Sequence, residues 1–244
     1  MFSDLLIERL LKATSVVVLT GAGISAESGV PIFRGETGLW KKFRPEELAN
    51  IDAFLRNPSL VWEWYNYRKD LIREVNPNPG HVALVALENK YPDFLLVTQN
   101  VDNLHRVAGS RNIRELHGNI MRNRCVDCNR QIDQSELTVP TGSAVPRCEC
   151  GGLVRPDVVW FGEALPNKEI QDAFTAARSC DVFLVVGTSA VVHPAAQLPL
   201  EAKEYGAYVL EINVEPTVIS NYVNESIFGK AGTILPALVK RLGL

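Results

Sequence analysis

The segment that most constrains the fold of this chain is a glycine-rich turn that directly follows a short apolar run. Residues 16–19 are Val-Val-Val-Leu, which is typical of a strand buried on both faces of a parallel sheet. Gly21, Gly23 and Ala26 then match the pattern G-x-G-x-x-G/A, in which the backbone approaches a pyrophosphate. The segment therefore predicts a dinucleotide-binding α/β domain.

The chain departs from an ordinary dinucleotide fold after this turn. Such folds have a second strand that ends in an acidic residue about 20 residues further on. Here the chain instead continues through an aromatic and basic stretch that contains Phe33, Arg34 and Trp40. Residues 38–78 also hold three of the four tryptophans and several helix-start signals. We interpret this region as a helical insertion and not as part of a repeating strand–helix unit.

Length and charge set further bounds. The 244 residues allow one large domain with a small one, and the net charge of −3 does not indicate nucleic-acid binding. No apolar run reaches the length of about 18 residues that a membrane-spanning helix needs. Residues 1–12 form an amphipathic helical pattern and not a signal peptide. We expect a monomeric cytoplasmic protein that contacts neither membrane nor nucleic acid.

Later strands end in polar or glycine-bearing tips. Residues 94–97, 182–186 and 207–212 are apolar runs, and each leads directly into such a tip. Right-handed crossover connections place the carboxyl ends of parallel strands on one edge of the sheet, where ligands bind in open α/β folds. We expect the ligand site at this edge.

Four cysteines form two close pairs, Cys125 with Cys128 and Cys148 with Cys150. This spacing predicts a tetrahedral Zn²⁺ site, and four thiolates leave no open coordination position, so the zinc is expected to be structural. The alternatives are a redox dithiol or unpaired core cysteines. We expect Cys180 to serve only in packing.

His117 is the best catalytic candidate among the four histidines, because it follows a short strand where the two domains are expected to meet. We expect His81 in the first turn of a helix, His105 in solvent or against a helix, and His193 in a loop.

Two other polar pairs are ambiguous when they are taken alone. Asn100 and Asp102 follow a strand, where helix capping is the commoner role. Tyr65 and Arg68 share one helix face and could hold a carboxylate, although an arginine on an amphipathic helix is usually solvated.

Separated motifs together resemble one family. The string G-A-G-I-S-A-E-S-G-V-P-x-F-R-G and the later segments at residues 98–105, 116–118, 158–163, 187–189 and 212–213 resemble the sirtuin family of NAD-dependent protein-lysine deacylases. The resemblance implies an α/β fold in which a Rossmann-like parallel-sheet domain is joined to a smaller domain. It implies residues 1–37, 81–117 and 157–244 for the Rossmann-like domain, 38–80 for a helical module and 118–156 for a zinc-binding module.

The resemblance also implies site residues. His117 would be the general base and Asn100 a second catalytic residue. Residues implied to contact the co-substrate NAD are Gly21, Ala22, Gly23, Ile24, Ser25, Glu27, Phe33, Arg34, Trp40, Gln99, Asn100, Val101, Asp102, Gly187, Thr188, Ser189, Asn213, Val214, Glu215 and Ala231. An extended edge that pairs with the substrate peptide would comprise Val159, Trp160, Phe161 and Gly162.

One departure from the common sirtuin pattern is informative. Many sirtuins have Asp where this chain has Ile32, and non-acidic residues occur there in the class III branch, which also carries a Tyr-x-x-Arg pair. Tyr65 and Arg68 match that pair, which in this branch binds the distal carboxylate of succinyl-lysine or malonyl-lysine. The resemblance therefore implies deacetylation together with removal of succinyl or malonyl groups.

The reaction implied by the family consumes NAD, releases nicotinamide and transfers the acyl group to give O-acyl-ADP-ribose. The partners implied are acyl-lysine proteins or peptides. The alternatives are an oxidoreductase, a protein mono-ADP-ribosyltransferase, and a zinc-ribbon adaptor that senses NAD or ADP-ribose.

Overall fold

The computed structural model describes residues 1–31, 48–139 and 145–244. Four residues singled out above, Ile32, Phe33, Arg34 and Trp40, lie outside these described residues.

Nine strands are formed by the described residues. In chain order they are β1 (Ser15–Thr20), β2 (Asp93–Thr98), β3 (Ile113–Glu115), β4 (Gly118–Cys125), β5 (Gln131–Ile132), β6 (Val154–Val158), β7 (Val182–Val186), β8 (Tyr208–Asn213) and β9 (Glu225–Phe228).

Six of these strands form a parallel sheet in the order β3-β2-β1-β7-β8-β9. The order reverses direction between β1 and β7. Neighbouring strands that lead to opposite sides of a sheet leave a crevice at their carboxyl ends, which is the usual ligand position in such folds. The predicted Rossmann-like α/β fold class is confirmed.

Helices cover both faces of this sheet. In chain order the helices are α1 (Asp4–Lys12), α2 (Ala22–Ala26), α3 (Ile51–Arg56), α4 (Pro58–Arg73), α5 (Pro79–Lys90), α6 (Leu104–Ala108), α7 (Asn167–Ser179), α8 (Leu198–Glu204) and α9 (Ala231–Arg241). Within the described ranges, none of them is both long enough and apolar enough to cross a bilayer.

Alternation along the strands divides the core into two layers. Val16 and Val18 of β1 pack with α1, α5 and α9, while Val17 and Leu19 pack with α7 and α8. Both sets are at most 1% exposed, so β1 is buried on both faces, as its apolar run predicts.

The smaller sheet is antiparallel, in the order β5-β4-β6, and it packs against α3 and α4 around a third apolar cluster. The indole N–H of Trp62 on α4 donates to the Val154 carbonyl of β6 at 2.8 Å. Helical and cysteine-bearing segments that are distant in sequence therefore form one small lobe.

We retain the division into domains as a proposal, since the elements cross its boundaries. Helix α5 begins at Pro79, two residues before the proposed boundary at residue 81, and β6 runs through the boundary between residues 156 and 157.

A buried lysine joins the two parts of the small lobe. Lys69 on α4 is 2% exposed, its ammonium donates to Asn123 Oδ1 of β4 at 2.8 Å, and it lies 5.1 Å from the centre of the Trp62 ring. Burial disfavours the charged form and lowers the pKa of Lys69 to about 8.

This lysine predicts a pH-dependent stability. Between pH 8 and its ordinary pKa near 10.4, the unfolded chain binds a proton at this position that the folded chain has lost, so stability rises with pH. Relative to Lys69→Met, the wild-type free energy of unfolding should therefore rise by on the order of 2 kcal/mol over this window.

Urea denaturation of both proteins at a series of pH values measures this difference. Lys240→Met, which removes an exposed lysine of α9, is the control. The difference in free energy of unfolding between wild type and Lys240→Met should not change with pH. A difference between wild type and Lys69→Met that does not change with pH would contradict the prediction.

Candidate functional site

The turns that follow β1 and β7 are in direct contact. The Gly21 and Gly23 amides donate to the carbonyls of Val186 and Gly187 at 3.0 and 2.8 Å. A Cβ atom on Gly21 would lie 2.7 Å from Thr188 Cβ, and one on Gly23 would lie 2.7 Å from Gly187 Cα. Gly21 and Gly23 are therefore required by the packing of the two turns, whether or not a ligand also requires them.

A cavity of about 800 Å³ opens at this edge of the sheet and extends to the small lobe. Its volume lies in the range typical of ligand and cofactor sites. Twelve residues predicted for NAD line it: Gly21, Ala22, Gly23, Gln99, Asn100, Val101, Gly187, Thr188, Ser189, Asn213, Val214 and Glu215. His117 and all six predicted substrate-binding residues line the same cavity: Tyr65, Arg68, Val159, Trp160, Phe161 and Gly162.

Asn100 is held at the end of β2 by three hydrogen bonds. Its amide NH₂ group donates to the Gly21 carbonyl at 3.0 Å and to Ser25 Oγ at 3.2 Å, and its backbone N–H donates to Thr98 Oγ1 at 3.0 Å. With both donors engaged, Oδ1 is the side-chain atom that is left to accept a hydrogen bond from a ligand or water.

Asp102 lies behind the cavity wall and is 4% exposed. Its Oδ1 accepts from the Leu104 amide at 3.0 Å, the first amide of α6, while Asn103 occupies the N-cap position. Burial raises the pKa of Asp102 above its usual range, against the opposing effects of the Leu104 amide, the Ser25 hydroxyl and Arg68.

The tautomer of His117 follows from its hydrogen bond. Nδ1 lies 2.8 Å from the Gln99 carbonyl oxygen, and a carbonyl can only accept, so Nδ1 carries the proton. The acceptor nitrogen is then Nε2. Gly118 follows with φ of +76°, and a Cβ there would lie 2.1 Å from the Asp157 carbonyl oxygen, so glycine is required beside this histidine.

The small lobe places an arginine and a tyrosine in the cavity wall. Arg68 is 7% exposed, and its guanidinium carbon lies 4.9 and 5.8 Å from the ring centres of Trp64 and Tyr65. The Tyr65 hydroxyl accepts from the Trp160 indole N–H at 2.7 Å. The helical pattern alone would suggest that Arg68 is a solvated surface residue. The structure shows instead that it is buried.

Residues of the predicted peptide-binding edge already use much of their own backbone. The amides of Val159 and Phe161 donate to the carbonyls of His117 and Ala49 at 2.9 Å each, and the Trp160 amide donates to Glu163 Oε2 at 2.8 Å. Phe161 and Gly162 form part of a turn. The Trp160 carbonyl also accepts, from the Glu163 amide at 3.0 Å.

Five residues predicted for NAD and present in the structure do not line the cavity. Ile24, Ser25 and Asp102 are buried behind it. Glu27 accepts from the Gly232 amide at 2.8 Å, in the first turn of α9, where Ala231 is also buried.

Sequence reasoning missed part of the lining. Val192 and His193 follow the tip of β7, and Pro216, Thr217 and Val218 follow the tip of β8. The signal that could have found them is proximity to a predicted tip, because a loop that leaves the carboxyl end of a parallel strand borders the ligand site.

His81 and His105 lie behind the glycine turn. His81 is fully buried in the first turn of α5, as predicted, and burial lowers its pKa to about 4. His105 does not face solvent: it is 3% exposed, its Nε2 lies 2.9 Å from Thr20 Oγ1, and burial lowers its pKa well below the ordinary value.

The four paired cysteines meet in space. Their sulfur atoms all lie within 4.8 Å of one another, with Cys125 and Cys150 3.5 Å apart and Cys128 and Cys148 3.8 Å apart. A tetrahedral zinc–thiolate site with bonds of about 2.3 Å needs sulfur atoms about 3.8 Å apart. The donor set therefore fits one Zn²⁺ with no open position, and Cys180 lies apart in the main core.

Comparison with known proteins gives consistent matches. The model of the Sir2 family matches residues 21–194. A protein of Aquifex aeolicus named NAD-dependent protein deacylase is 54% identical over 220 residues, which cover 90% of this chain and 91% of that protein. A protein of the same name from Pyrococcus furiosus is 51% identical over 237 residues, with coverage of 96% and 95%.

Solved structures show the same similarity. A complex of a Sir2 homolog with NAD has a TM-score of 0.91 and 43% sequence identity, covering all of this chain and 94% of that one. A complex described as Sir2, p53 peptide and NAD⁺ has a TM-score of 0.87 and 30% identity, covering all of this chain and 99% of that one.

The cysteine cluster predicts that the small lobe depends on zinc. Elemental analysis should find one zinc per chain, and Cys128→Ser or prolonged chelation should abolish it. Because metal binding at structural sites contributes to folding free energy, hydrogen exchange should then accelerate at the amides of β4 and β6, while β1 and β7 stay protected.

Cys180→Ala is the matched control, since this cysteine lies outside the cluster, and it should retain the metal. Unchanged exchange in β4 and β6 after complete removal of zinc would show that the lobe does not need it.

Proposed function

We propose the function of this chain on the premise that it belongs to the Sir2 family, whose model matches well over half of its residues. The resemblance drawn from its separated motifs is thereby confirmed. Relatives that share about half of their residues with it, over at least nine-tenths of each chain, are NAD-dependent protein deacylases, and this chain is an enzyme of that class. It acts with NAD as co-substrate and with a structural zinc.

The observation that carries the proposal is that one cavity is lined by the glycine turn, by His117 and by Arg68. These residues come from the main sheet, from its junction with the small lobe, and from the small lobe itself. A dinucleotide at the glycine turn and an acylated side chain that enters beside Arg68 would therefore meet near His117.

We assign NAD to the part of the cavity at the switch point between β1 and β7. The turns that would hold it are residues 21–23, 99–101, 187–189 and 213–215, and Phe33, Arg34 and Trp40 remain part of the proposal. When bound, NAD supplies an anomeric carbon with nicotinamide as its leaving group. Ile24, Ser25 and Asp102 would shape the nicotinamide pocket from behind, and Glu27 and Ala231 would support the turn.

His117 would act as the general base. Its Nδ1–H is committed to the Gln99 carbonyl, so Nε2 presents a lone pair that can take a proton from a ribose hydroxyl. Asn100 would orient a hydroxyl or water through Oδ1, because its two amide protons are engaged by Gly21 and Ser25.

The acyl group would be read by Tyr65 and Arg68. A tyrosine hydroxyl that accepts from Trp160 still has its own proton to donate, and a buried guanidinium pairs strongly with a carboxylate. We propose that the enzyme removes succinyl or malonyl groups as well as acetyl groups, and that the products are nicotinamide and O-acyl-ADP-ribose.

The peptide would bind along Val159, Trp160, Phe161 and Gly162, through backbone groups of this edge. We propose acyl-lysine proteins or peptides as substrates and a monomer in the cytoplasm as the working state. Mono-ADP-ribosyl transfer and a purely NAD-sensing role are not favoured, because neither explains a buried arginine in the cavity wall.

Replacement of His117 by alanine tests the base. Deacylation should fall by about 10²–10⁴-fold, the usual contribution of a general base, while calorimetric affinity for ADP-ribose stays within a few-fold of wild type. Nicotinamide and O-acyl-ADP-ribose are measured by mass spectrometry with NAD and an acetyl-lysine peptide. Turnover near the wild-type rate would remove His117 from the mechanism.

Replacement of Arg68 by methionine tests acyl selectivity. A hydrogen bond to a charged group contributes roughly 1.5–3 kcal/mol, so kcat/KM for a succinyl-lysine peptide should fall by about 10–100-fold more than for the acetyl-lysine peptide of the same sequence.

Arg73→Met is the matched control, because Arg73 lies on the same helix with its side chain 51% exposed and paired with Asp70. It should leave both peptides unaffected. Equal losses on both peptides in Arg68→Met would mean that Arg68 supports the lobe without selecting the acyl group.

A further inference from the structure

A carboxylate lies where the core pattern calls for an apolar side chain. Strand β8 is apolar at most positions, and Val209, one pleat before Glu211 on the same face, packs against α7 and α8. Glu211 is nevertheless 1% exposed. No arginine or lysine of residues 1–31, 48–139 or 145–244 forms an ion pair with it. A buried carboxylate needs compensating hydrogen bonds, and three hydroxyl groups supply them here.

All three donors belong to the stretch that connects β8 to β9 or to β9 itself. Thr217 Oγ1 donates to Glu211 Oε1, and the hydroxyls of Ser220 and Ser226 donate to Oε2 at 2.5 and 2.9 Å. Ser226 lies directly opposite Glu211 in the strand register. The Glu211 carboxylate is therefore hydrogen-bonded to two residues of the connecting loop, Thr217 and Ser220, and to one residue of β9, Ser226.

The direction of these bonds is set by the loop backbone. The Thr217 amide donates to Ser220 Oγ at 2.8 Å, and the Ile219 amide donates to Thr217 Oγ1 at 3.3 Å. The hydroxyls of Thr217 and Ser220 thus each accept from the backbone and have their own proton to give to Glu211. Glutamine at this position would offer one acceptor oxygen and an NH₂ group, so at least one of the three hydroxyl protons would lose its acceptor.

The tethered loop is part of the cavity wall. Val214, Glu215, Pro216, Thr217 and Val218 all line it, whereas Glu211 and Ser220 do not. In the sheet, β8 is separated from β2 by β1 and β7, which is about 14 Å at the usual strand spacing. Residues 214–218 therefore border the end of the cavity that lies away from Asn100.

We propose that Glu211 is a positioning residue for NAD: its buried carboxylate holds residues 214–218 in the conformation that contacts the part of the dinucleotide remote from the reacting carbon. This inference rests on the proposed function in taking NAD as the ligand. It requires Glu211 to affect the affinity for NAD and not the chemical step. An interaction that is equally strong in the ground state and the transition state changes KM without changing kcat.

The test is Glu211→Gln, assayed with NAD and a saturating acetyl-lysine peptide. The KM for NAD should rise about tenfold, which is equivalent to about 1.4 kcal/mol, while kcat and the KM for the peptide stay within twofold. The dissociation constant of ADP-ribose, measured by calorimetry, should rise by a similar factor.

Ser220→Ala is the second variant, because Ser220 does not line the cavity. It removes one hydrogen bond from the loop to Glu211, together with the acceptor of the Thr217 amide. It should raise the KM for NAD about threefold. Ser226→Ala is the matched control: it deletes a hydroxyl from the same carboxylate oxygen but leaves both loop tethers. Its other contact, with the Ser220 carbonyl at 3.5 Å, is at the limit of a hydrogen bond. This control should leave both KM values unchanged.

Three outcomes are decisive. An unchanged KM for NAD in Glu211→Gln overturns this inference and leaves the proposed function standing. If that variant fails to fold, an unchanged KM for NAD in Ser220→Ala does the same. Equal changes in kcat and in both KM values would show a general structural role and also overturn it. Absence of NAD-dependent turnover in wild type would overturn the proposed function, and the ADP-ribose calorimetry would then still decide the role of Glu211.

Discussion

The contact between the two glycine turns governs the geometry of the whole site. β1 and β7 are adjacent in the sheet, and their turns must pass each other at backbone-to-backbone distance before either reaches the cavity. A Cβ on Gly187 would lie 2.5 Å from the Ile24 amide nitrogen, and its φ of +60° also favours glycine. Any side chain at Gly21, Gly23 or Gly187 would push the two turns apart. The residues that follow each turn would then move apart as well.

Further walls of the cavity depend on that contact through hydrogen bonds. Asn100 reaches the Gly21 carbonyl, the Gln99 amide group donates to Thr188 Oγ1 at 2.9 Å, and Asn213 donates to the Thr188 carbonyl at 3.0 Å. His117 is in turn oriented by the Gln99 carbonyl. The ends of four neighbouring strands are thus connected in one network, which explains how His117 and the glycine turn after β1 keep a fixed relation.

The small-lobe end of the cavity relies on a different kind of interaction. The Arg155 guanidinium lies 3.2 Å from the centre of the Trp160 ring and pairs with Glu163, and Trp160 donates to Tyr65. Arg155 belongs to β6, which pairs with the cysteine-bearing strand β4. The aromatic wall beside Arg68 is therefore supported from the sheet that carries the cysteine cluster, so this cluster helps to stabilise the small-lobe side of the cavity.

Local patterns in the sequence determined the fold class, the glycine turn, the four metal ligands and the family, because each is set by neighbours within a few residues or by a fixed spacing. Only the tertiary structure decided the protonated nitrogen of His117, the burial of Arg68 and His105, the engaged amides of residues 159–161, and the place of Glu211. Arg68 contacts the ring of Trp64 on its own helix, but the opposite charge that acts on it belongs to Asp102, which follows β2. The others depend on a partner from another segment: the Gln99 carbonyl, Thr20, Ala49 and Ser220. Burial and hydrogen-bond direction arise from packing between segments. The order of polar and apolar residues along the sequence does not show which distant segments meet.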